Sequence, residues 1–374
     1  MLRQFRGTPG PLTFIAKAGT MTPLMEEILQ QPGALANVRK YYASPGAISR
    51  KALKVLGASR HPTVIFTGMG SSLYAAYPAQ AYLTEMGYRA LVWETAELVH
   101  YHLKILTRDT LLIVVSQSGE TAEVVRLLED LPAKVKVIAV TNMEKSRLAQ
   151  RAALMLPMMA GMQAAVSTKT YTCAVAVLMY LAFALAGEDH RPLSQALKSA
   201  VEAEESVLER HDVLMPPTLQ FLGRPPYVAL MSRGADLASA YQGALMLKEV
   251  ARMAAEPMSA AQFRHGPIEI VNPSHCYIIF VRHARPVPQG RKTAGLLLRL
   301  AEDIRSHHGR VLLLADRPVE NVTDMRLIQV EPIRLGLGTL VDTVLMQLLA
   351  HDYAVQFGYE PGKFWIAEGV TRSE

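Results

Sequence analysis

The chain has 374 residues, of which 50% are hydrophobic and 19% are charged. At about 150 residues per domain this length predicts two or three domains, and the composition excludes a disordered chain. The net charge of +6 comes without a run of Lys and Arg, so it indicates no nucleic-acid partner and suits a small anionic substrate. Cys173 and Cys276 lie in apolar surroundings, which excludes a disulfide framework and a thiolate metal site and favours a reducing cytoplasm.

The first twenty residues are basic and contain no acid. This bias is typical of a transit peptide; the alternative is that Met21 is the natural start and residues 1–20 are an upstream extension. Residues 170–187 form the most apolar stretch, close to the ~18 residues that the shortest membrane-spanning helix needs. Because this stretch stands alone in the sequence, we expect a helix buried between a sheet and a partner subunit, with no membrane association.

Short runs rich in Val and Ile alternate with helix-length segments along the chain. Connections of that length join parallel strands in right-handed βαβ units, so we predict an α/β fold with parallel sheets. The runs lie at 63–67, 111–115, 136–140, 227–231, 276–281 and 311–315.

One part of this pattern occurs twice. Residues 63–77 (TVIFTGMGSSLYAAY) align with residues 227–241 (YVALMSRGADLASAY), and in the same register Glu85 falls opposite Glu249. We therefore predict two copies of one α/β unit. The predicted segments are an N-terminal extension and helix at 1–47, the two units at 48–190 and 205–350, and a C-terminal tail at 351–374. Neither a G-x-G-x-x-G nor a Walker A sequence occurs, so no nucleotide cofactor is expected.

Two loops after predicted strands are rich in glycine and hydroxyl side chains. They read GMGSS at 68–72 and SQSGET at 116–121, and each leads into a helix. Ligands of parallel sheets bind beyond the carboxyl ends of the strands, where backbone N–H groups at a helix start attract anions. N-capping is the alternative for each loop alone, but two such loops on neighbouring strands favour a phosphate site. Residues 167–169 (STK) open the apolar helix, either as a cap with a surface lysine or as a lid that contacts the ligand through Ser167.

Glu249 and Lys248 stand in the strongly apolar stretch GALMLKEVARMAAE. A carboxylate on a mostly buried helix is costly unless it is paired or has a chemical task, so a salt bridge and catalysis both remain open. His265 follows in the turn FRHGP, where a structural role is the alternative. A buried glutamate and a loop histidine would suit proton transfer at a sugar carbonyl and ring oxygen.

The motifs GMGSS, SQSGET, STK, MLKE and RHGP occur in this order from Met21 onward. In that order the chain resembles sugar isomerase (SIS) domain proteins. It is most similar to the isomerase half of glucosamine-6-phosphate synthase and its stand-alone deaminase, isomerase and deglycase relatives. The resemblance implies two tandem SIS domains, each a five-stranded parallel sheet flanked by helices in a flavodoxin-like three-layer α/β/α arrangement. It also implies a homodimer whose C-terminal tail lies over the active site.

The resemblance further implies roles for individual residues. Glu249, next to Lys248, would move a proton between C1 and C2, and His265 would assist ring opening in the neighbouring subunit's site. The residues implied in binding a sugar phosphate are Ser72, Ser116, Gln117, Ser118 and Thr121, with Ser71 and Ser167 at the sugar hydroxyls.

Three departures from the family pattern bear on the activity. No glutaminase half precedes Met21, so we expect that glutamine is not the nitrogen source. Met246 stands where the synthase has a lysine, one turn before the glutamate. Glu368 stands where relatives have an imine-forming tail lysine, and Lys363 lies upstream of it. This disfavours a lysine nucleophile and leaves a carboxylate able to pair with a substrate ammonium.

We therefore expect a cytoplasmic enzyme, with no metal and no other cofactor, that acts on an amino-sugar or fructosamine 6-phosphate. The reaction would be C1/C2 proton transfer, either with release of the amine or as plain aldose–ketose isomerisation. The FRHGPIEIV stretch is slightly closer to deglycase-like relatives. A non-catalytic phosphosugar-binding regulator is the alternative: Glu249 and His265 argue against it, whereas Met246 and Glu368 argue for it.

Overall fold

The computed structural model describes residues 21–44, 46–48, 53, 63–164, 166–283, 289–320 and 324–366. The N-terminal segment at 1–20 and the tail residue Glu368 lie outside the described residues. Within the described residues, strands and helices alternate in the order that the sequence predicts.

Two parallel five-stranded sheets carry the fold. The first has the order β2-β1-β3-β4-β5 and the second the order β10-β9-β8-β6-β7. The strands of the first sheet are β1 (Thr63–Gly68), β2 (Arg89–Glu94), β3 (Thr110–Val115), β4 (Lys136–Thr141) and β5 (Leu154–Pro157). Those of the second are β6 (Val228–Ser232), β7 (Ala255–Ser259), β8 (Cys276–Val281), β9 (Arg310–Ala315) and β10 (Met325–Gln329). Read from β7, the second sheet repeats the strand order of the first.

Helices flank the sheets and join the strands. In the first half they are α1 (Pro23–Leu29), α2 (Gln31–Tyr42), α3 (Ser71–Tyr74), α4 (Tyr77–Glu85), α5 (Thr95–Tyr101), α6 (Ala122–Asp130), α7 (Arg147–Arg151) and α8 (Lys169–Ala186). In the second half they are α9 (Arg191–Glu209), α10 (His211–Leu222), α11 (Leu237–Glu249), α12 (Ala260–Phe263), α13 (Gln289–Ser306) and α14 (Gly338–Gln356). Short 3₁₀ turns occur at Leu103–Ile105, Gly234–Asp236 and Pro267–Ile270.

The apolar stretch at 170–187 lies almost entirely within α8. Among the described residues α8 is the one helix long and apolar enough to cross a membrane, but 83% of its window is buried inside the protein. Its Tyr180 ring stacks on Tyr42 of α2 at 5.6 Å. Burial of this kind is typical of a core helix, and it explains why α8 is apolar on every side.

The two aligned segments of the sequence pack against each other. The rings of Tyr77 and Tyr241, which occupy equivalent positions in the alignment, stack at 5.4 Å with an interplanar angle of 24°. The ring of Tyr74 lies 5.0 Å from the same Tyr241 ring. This contact sets α11 of the second half against the segment that follows β1 in the first half.

Glu204 of α9 is a buried acid. Neither of its carboxyl oxygens has a hydrogen-bond partner among the described residues. Burial, and then the charge of Glu205, raises the pKa of Glu204 well above its ordinary value of 4.5. The folded protein therefore keeps a proton that the unfolded chain releases as the pH rises, so folding loses stability with rising pH.

We expect E204Q to stabilise the protein increasingly as the pH rises above that ordinary value. The difference in unfolding free energy between E204Q and wild type should grow by about 1.4 kcal/mol per pH unit until the folded carboxyl ionises. Urea unfolding between pH 5 and pH 8 measures this difference. E209Q is the matched control, because Glu209 is an exposed glutamate of the same helix. A pH-independent difference for E204Q would show that Glu204 is ionised in the folded protein.

Candidate functional site

The loops after β1 and β3 meet at the carboxyl edge of the first sheet. These strands are neighbours, and β2 lies on the other side of β1, so the edge has a topological switch point, where ligands of open α/β sheets bind. A Cβ on Gly68 would lie 2.9 Å from the Val115 carbonyl oxygen and 3.0 Å from the Ser72 carbonyl carbon. Only glycine permits this approach, and it brings the GMGSS and SQSGET loops into contact.

The SQSGET loop is organised by its own hydroxyl groups. Ser116 Oγ accepts a hydrogen bond from the Gly119 amide at 3.0 Å, and Ser118 Oγ accepts one from the Glu120 amide at 3.2 Å. Gly119 has φ +65°, and a Cβ there would collide with Ser146. Because both serine oxygens act as acceptors, each hydroxyl proton is still available for donation to a ligand.

Thr121 lies at the N-cap of α6, but its side chain does not cap the helix. Its hydroxyl oxygen is buried and has no hydrogen-bond partner among the described residues. The N-capping alternative therefore does not account for Thr121. A buried hydroxyl without a partner is costly, and an anion bound at the N-terminus of α6 would provide that partner. The Gln117 carbonyl oxygen accepts a hydrogen bond from the Asn142 amide at 3.1 Å, and the Gln117 side chain is half-buried.

The STK segment connects the site to the second half of the chain. Lys169 is buried, and its Nζ donates to Gln30 Oε1 at 2.7 Å and to the Met162 carbonyl at 2.6 Å. The interpretation of a cap with a surface lysine is therefore wrong. The Ser167 carbonyl oxygen accepts a hydrogen bond from Gln242 Nε2 of α11 at 3.4 Å, so this segment lies beside the helix that carries Glu249.

One face of α11 points at the GMGSS loop. Gln242, Leu245 and Glu249 are spaced so that they lie on the same side of the helix. Leu245 Cδ2 lies 3.7 Å from where a Cβ on Gly70 would be, and Gln242 contacts the Ser167 carbonyl. Glu249 is one turn beyond Leu245 on this face, and its charge reaches Tyr74, which follows the loop. Within the loop, Ser71 is buried and Ser72 is half-buried.

The environment of Glu249 suits proton transfer near neutral pH. Burial raises its pKa to about 7, and the charge of Lys248 lowers the pKa only partly back. Lys248 is exposed, and no ion pair joins Glu249 to another described residue. Among the described residues, the structure therefore shows no salt bridge that would account for this carboxyl. A group with this pKa can both accept and return a proton at pH 7.

Sequence reasoning missed two side chains beside the GMGSS loop, Tyr74 and Glu94, the second of which pairs with Gly68 across β1 and β2. Burial, then the charges of Tyr241, Glu249 and Glu94, raise the pKa of Tyr74, so Tyr74 stands within electrostatic reach of both carboxylates. Glu94 ends β2 and its Oε1 accepts from the Ala96 amide at 3.2 Å. Tyr74 could have been found, because it directly follows the GMGSSL motif. Glu94 had no comparable signal, since it lies at the end of an edge strand.

The helix that carries Glu249 and the residues before His265 pack on opposite faces of the second sheet. Leu247 of α11 belongs to the buried cluster that contains Ile278. Phe263, two residues before His265, belongs to the other cluster, and its ring lies 5.8 Å from that of Tyr277. His265 itself is exposed, so the structure does not show the predicted acid and histidine paired within one chain.

The tail and the remaining predicted positions have plain local environments. Lys363 is exposed, and its Nζ contacts Glu360 Oε2 at 2.8 Å, whereas Glu368 lies outside the described residues. Met246 is fully buried, with 0% relative exposure. The described part of the chain contains no group of three or more His, Cys, Asp or Glu side chains that could hold a metal ion.

Comparisons with known proteins agree with this fold and this edge of the first sheet. Residues 58–185 match the family model of the SIS domain, and this range contains both the GMGSS and the SQSGET loops. The chain is therefore one that contains a SIS domain. Over nearly its whole length the chain also resembles the isomerase part of glutamine–fructose-6-phosphate aminotransferase. It resembles stand-alone phosphosugar isomerase and deaminase structures as well.

The chain is 29% identical over 364 residues to the isomerizing glutamine–fructose-6-phosphate aminotransferase of Thermococcus kodakarensis, covering 94% of this chain and 58% of that protein. The chain thus spans a little over half the length of this curated relative. Among solved structures, it superposes on the C-terminal domain of glucosamine-fructose-6-phosphate aminotransferase from Francisella tularensis with a TM-score of 0.81, at 20% identity over 93% and 99% of the two chains. For glucosamine-6-phosphate deaminase from Thermotoga maritima the TM-score is 0.69, at 20% identity over 94% and 99%. At 20% sequence identity, the similarity to these two structures shows the fold alone.

Proposed function

We propose that this chain catalyses proton transfer between C1 and C2 of a nitrogen-bearing sugar 6-phosphate and releases the amine. Plain aldose–ketose isomerisation is the simpler form of the same chemistry. The observation that carries the proposal is the position of Glu249, a carboxyl with a pKa of about 7 on the face of α11 that meets the GMGSS loop. In this proposal the proton-transfer group and the phosphate site belong to one substrate site between α11 and the loops of the first sheet.

The loops supply the binding groups in this proposal. Ser72, Ser116, Gln117, Ser118 and Thr121 bind the phosphate, and Ser71 and Ser167 contact sugar hydroxyls. Contacts to a phosphate remote from the reacting carbons position the substrate without touching the bonds that change. Glu249 then removes the proton from one carbon and returns it to the neighbouring one through an enediol or enolamine. In the amine-releasing form, the proton shift leaves an imine at the nitrogen-bearing carbon, and water hydrolyses its C=N bond to a carbonyl and the free amine.

We also propose that the active form is a homodimer. His265 is exposed, and Phe263 just before it packs on the face of the second sheet opposite to α11, which favours a role outside the Glu249 site of its own chain. Its availability at the surface supports a role in ring opening in the neighbouring subunit's site. The repeated strand order further supports two tandem SIS domains, at 48–190 and 205–350.

A phosphosugar-binding regulator without catalysis is the second candidate. The observation that favours it is the same separation of His265 from Glu249 within one chain. As a monomer, the protein would retain the SQSGET loop and lack a histidine at the site.

The experiment that tests the proposal is an assay for ammonia or free amine. The purified protein, without glutamine, is incubated with glucosamine 6-phosphate, galactosamine 6-phosphate and fructosyl-amino-acid 6-phosphates, beside the E249Q and E368Q variants. Release of amine that disappears in E249Q would establish a deaminase or a deglycase. Weaker affinity for amine-bearing substrates in E368Q would support a Glu368–ammonium pair, and unchanged kinetics would exclude that pair.

If no amine is released, two outcomes remain. Conversion of fructose 6-phosphate or tagatose 6-phosphate, neither of which carries an amine, would support the isomerase form. If no substrate is converted but phosphosugars still raise the melting temperature, the binding loops work without the chemistry. The regulator would then be the better proposal.

A further inference from the structure

The segment after α14 is anchored at its beginning. The Tyr359 amide donates to the Ala354 carbonyl at 2.8 Å, which ties Tyr359 to the last turn of α14. Gly362 is buried with φ +79°, and a Cβ there would lie 3.1 Å from Leu24 Cβ. The chain therefore passes closely over α1 before it reaches Trp365.

One side chain from the second half contacts both aromatic rings of this segment. The Arg252 guanidinium carbon lies 4.3 Å from the centre of the Tyr359 ring and 4.9 Å from that of Trp365. Both distances are within the range of a cation–π contact. Trp365 is 78% exposed, so burial of apolar surface holds it only weakly. Arg252 is therefore the described side chain in cation–π contact with the exposed Trp365 ring.

Arg252 is itself held close to Glu249. It belongs to the turn that begins after Glu249 at the end of α11, and Val250, Ala251 and Met253 of this turn are buried. The Met253 amide donates to the Leu247 carbonyl at 3.1 Å. Arg252 has φ +55°, a backbone conformation that non-glycine residues rarely adopt. The turn therefore fixes the direction of the arginine relative to the helix that carries Glu249.

We propose that Arg252 is a positioning residue that holds the segment 359–366 against the turn following Glu249. The side chain acts as a clamp between Tyr359, which α14 anchors, and Trp365, which is otherwise exposed. Arg252 is three residues beyond Glu249, so the clamp holds this segment beside the end of α11 that carries Glu249. The consequence for turnover rests on the proposed function, whereas the clamp itself does not.

The test compares R252Q, R252K and R224Q in a W93F background, where Trp365 is the remaining tryptophan. R224Q is the matched control, because Arg224 lies 4.9 Å from the ring of Phe357 and does not contact Trp365. The first readout is the fluorescence anisotropy of Trp365. We expect it to fall in R252Q, to fall less in R252K, which keeps the charge, and to stay unchanged in R224Q. Unchanged anisotropy in R252Q would overturn the clamp.

The second readout is steady-state kinetics on the substrate that the amine-release panel identifies. We expect R252Q to lower kcat about 10- to 100-fold and to change KM less than about 2-fold, because a misplaced group near the reacting atoms costs turnover while phosphate contacts remain. Lower anisotropy with unchanged kcat would overturn the role in turnover. Lower anisotropy in R252Q, with no turnover even in the parent protein, would support the clamp and contradict the proposed function.

Discussion

Replacing Glu249 with glutamine is expected to lower kcat about 10²- to 10⁴-fold, the range for loss of a general base. Glutamine keeps the size of the side chain and removes only its ability to take a proton. Because burial already disfavours the carboxylate of Glu249, the neutral amide should not destabilise the fold. Affinity for the phosphosugar should stay within about 3-fold, since no phosphate contact is changed. Rapid-quench or coupled kinetics, beside a calorimetric titration, measure both quantities.

The same residue sets the expected pH dependence. A base must be ionised to accept a proton, and the Glu249 carboxyl has a pKa of about 7. We expect kcat/KM to fall about tenfold per pH unit below that value and to level off above it. A profile that is flat from pH 5 to pH 8, or an E249Q variant with wild-type turnover, would contradict the role of Glu249.

Subunit mixing provides a control for the loss of activity in E249Q. E249Q and H265A would each be inactive alone if His265 serves the neighbouring subunit's Glu249. Mixed dimers of the two variants would contain one intact site of two, so activity should return on mixing after subunit exchange. Recovery would also show that neither variant is misfolded.

Replacing Thr121 with valine is expected to weaken phosphosugar binding about 10- to 100-fold, the cost of losing a hydrogen bond to a charged group. Valine has nearly the same shape as threonine and lacks the hydroxyl. In the unliganded protein that hydroxyl is buried without a partner among the described residues. Removing it should therefore leave the melting temperature of the free protein unchanged or raise it. Weaker binding without lower stability would identify a hydroxyl whose partner is the ligand.

T110V is the matched control for T121V. Thr110 begins β3, at the opposite end from the SQSGET loop, and its hydroxyl accepts from the Thr107 amide at 3.0 Å. T110V should therefore lower the melting temperature and leave phosphosugar affinity unchanged. Wild-type affinity in T121V, measured by calorimetric titration with glucosamine 6-phosphate and fructose 6-phosphate, would exclude Thr121 from the phosphate site.

The predicted strands show where sequence reasoning succeeds. All six apolar runs correspond to β1, β3, β4, β6, β8 and β9, which occupy the interior positions of the two sheets. An interior parallel strand is covered on both faces, so it requires a continuous apolar run that is easily recognised. β3, whose six residues are all buried, is the clearest case.

The four strands that were not predicted are all edge strands. β2, β5, β7 and β10 each end a sheet, and an edge strand is partly exposed and carries polar residues. In β2, for example, Arg89 and Leu91 are exposed while Ala90 is buried. β7 contains Glu256 and Pro257, which interrupt an apolar run. An edge strand forms because a neighbouring strand pairs with it. Its own amino-acid composition therefore does not predict it.

The sequence by itself determined the α/β class, the interior strands and the positions of the hydroxyl-rich loops, because these depend on local composition and on the spacing of glycine and apolar residues. Only the tertiary structure decided which groups share a site. It set α11 against the GMGSS loop through Leu245 and left the Thr121 hydroxyl without a partner among the described residues. It also buried Lys169 and packed the residues before His265 on the sheet face opposite to α11. These outcomes follow from packing between segments far apart in the chain, where burial and distance set the pKa and the partners of each side chain.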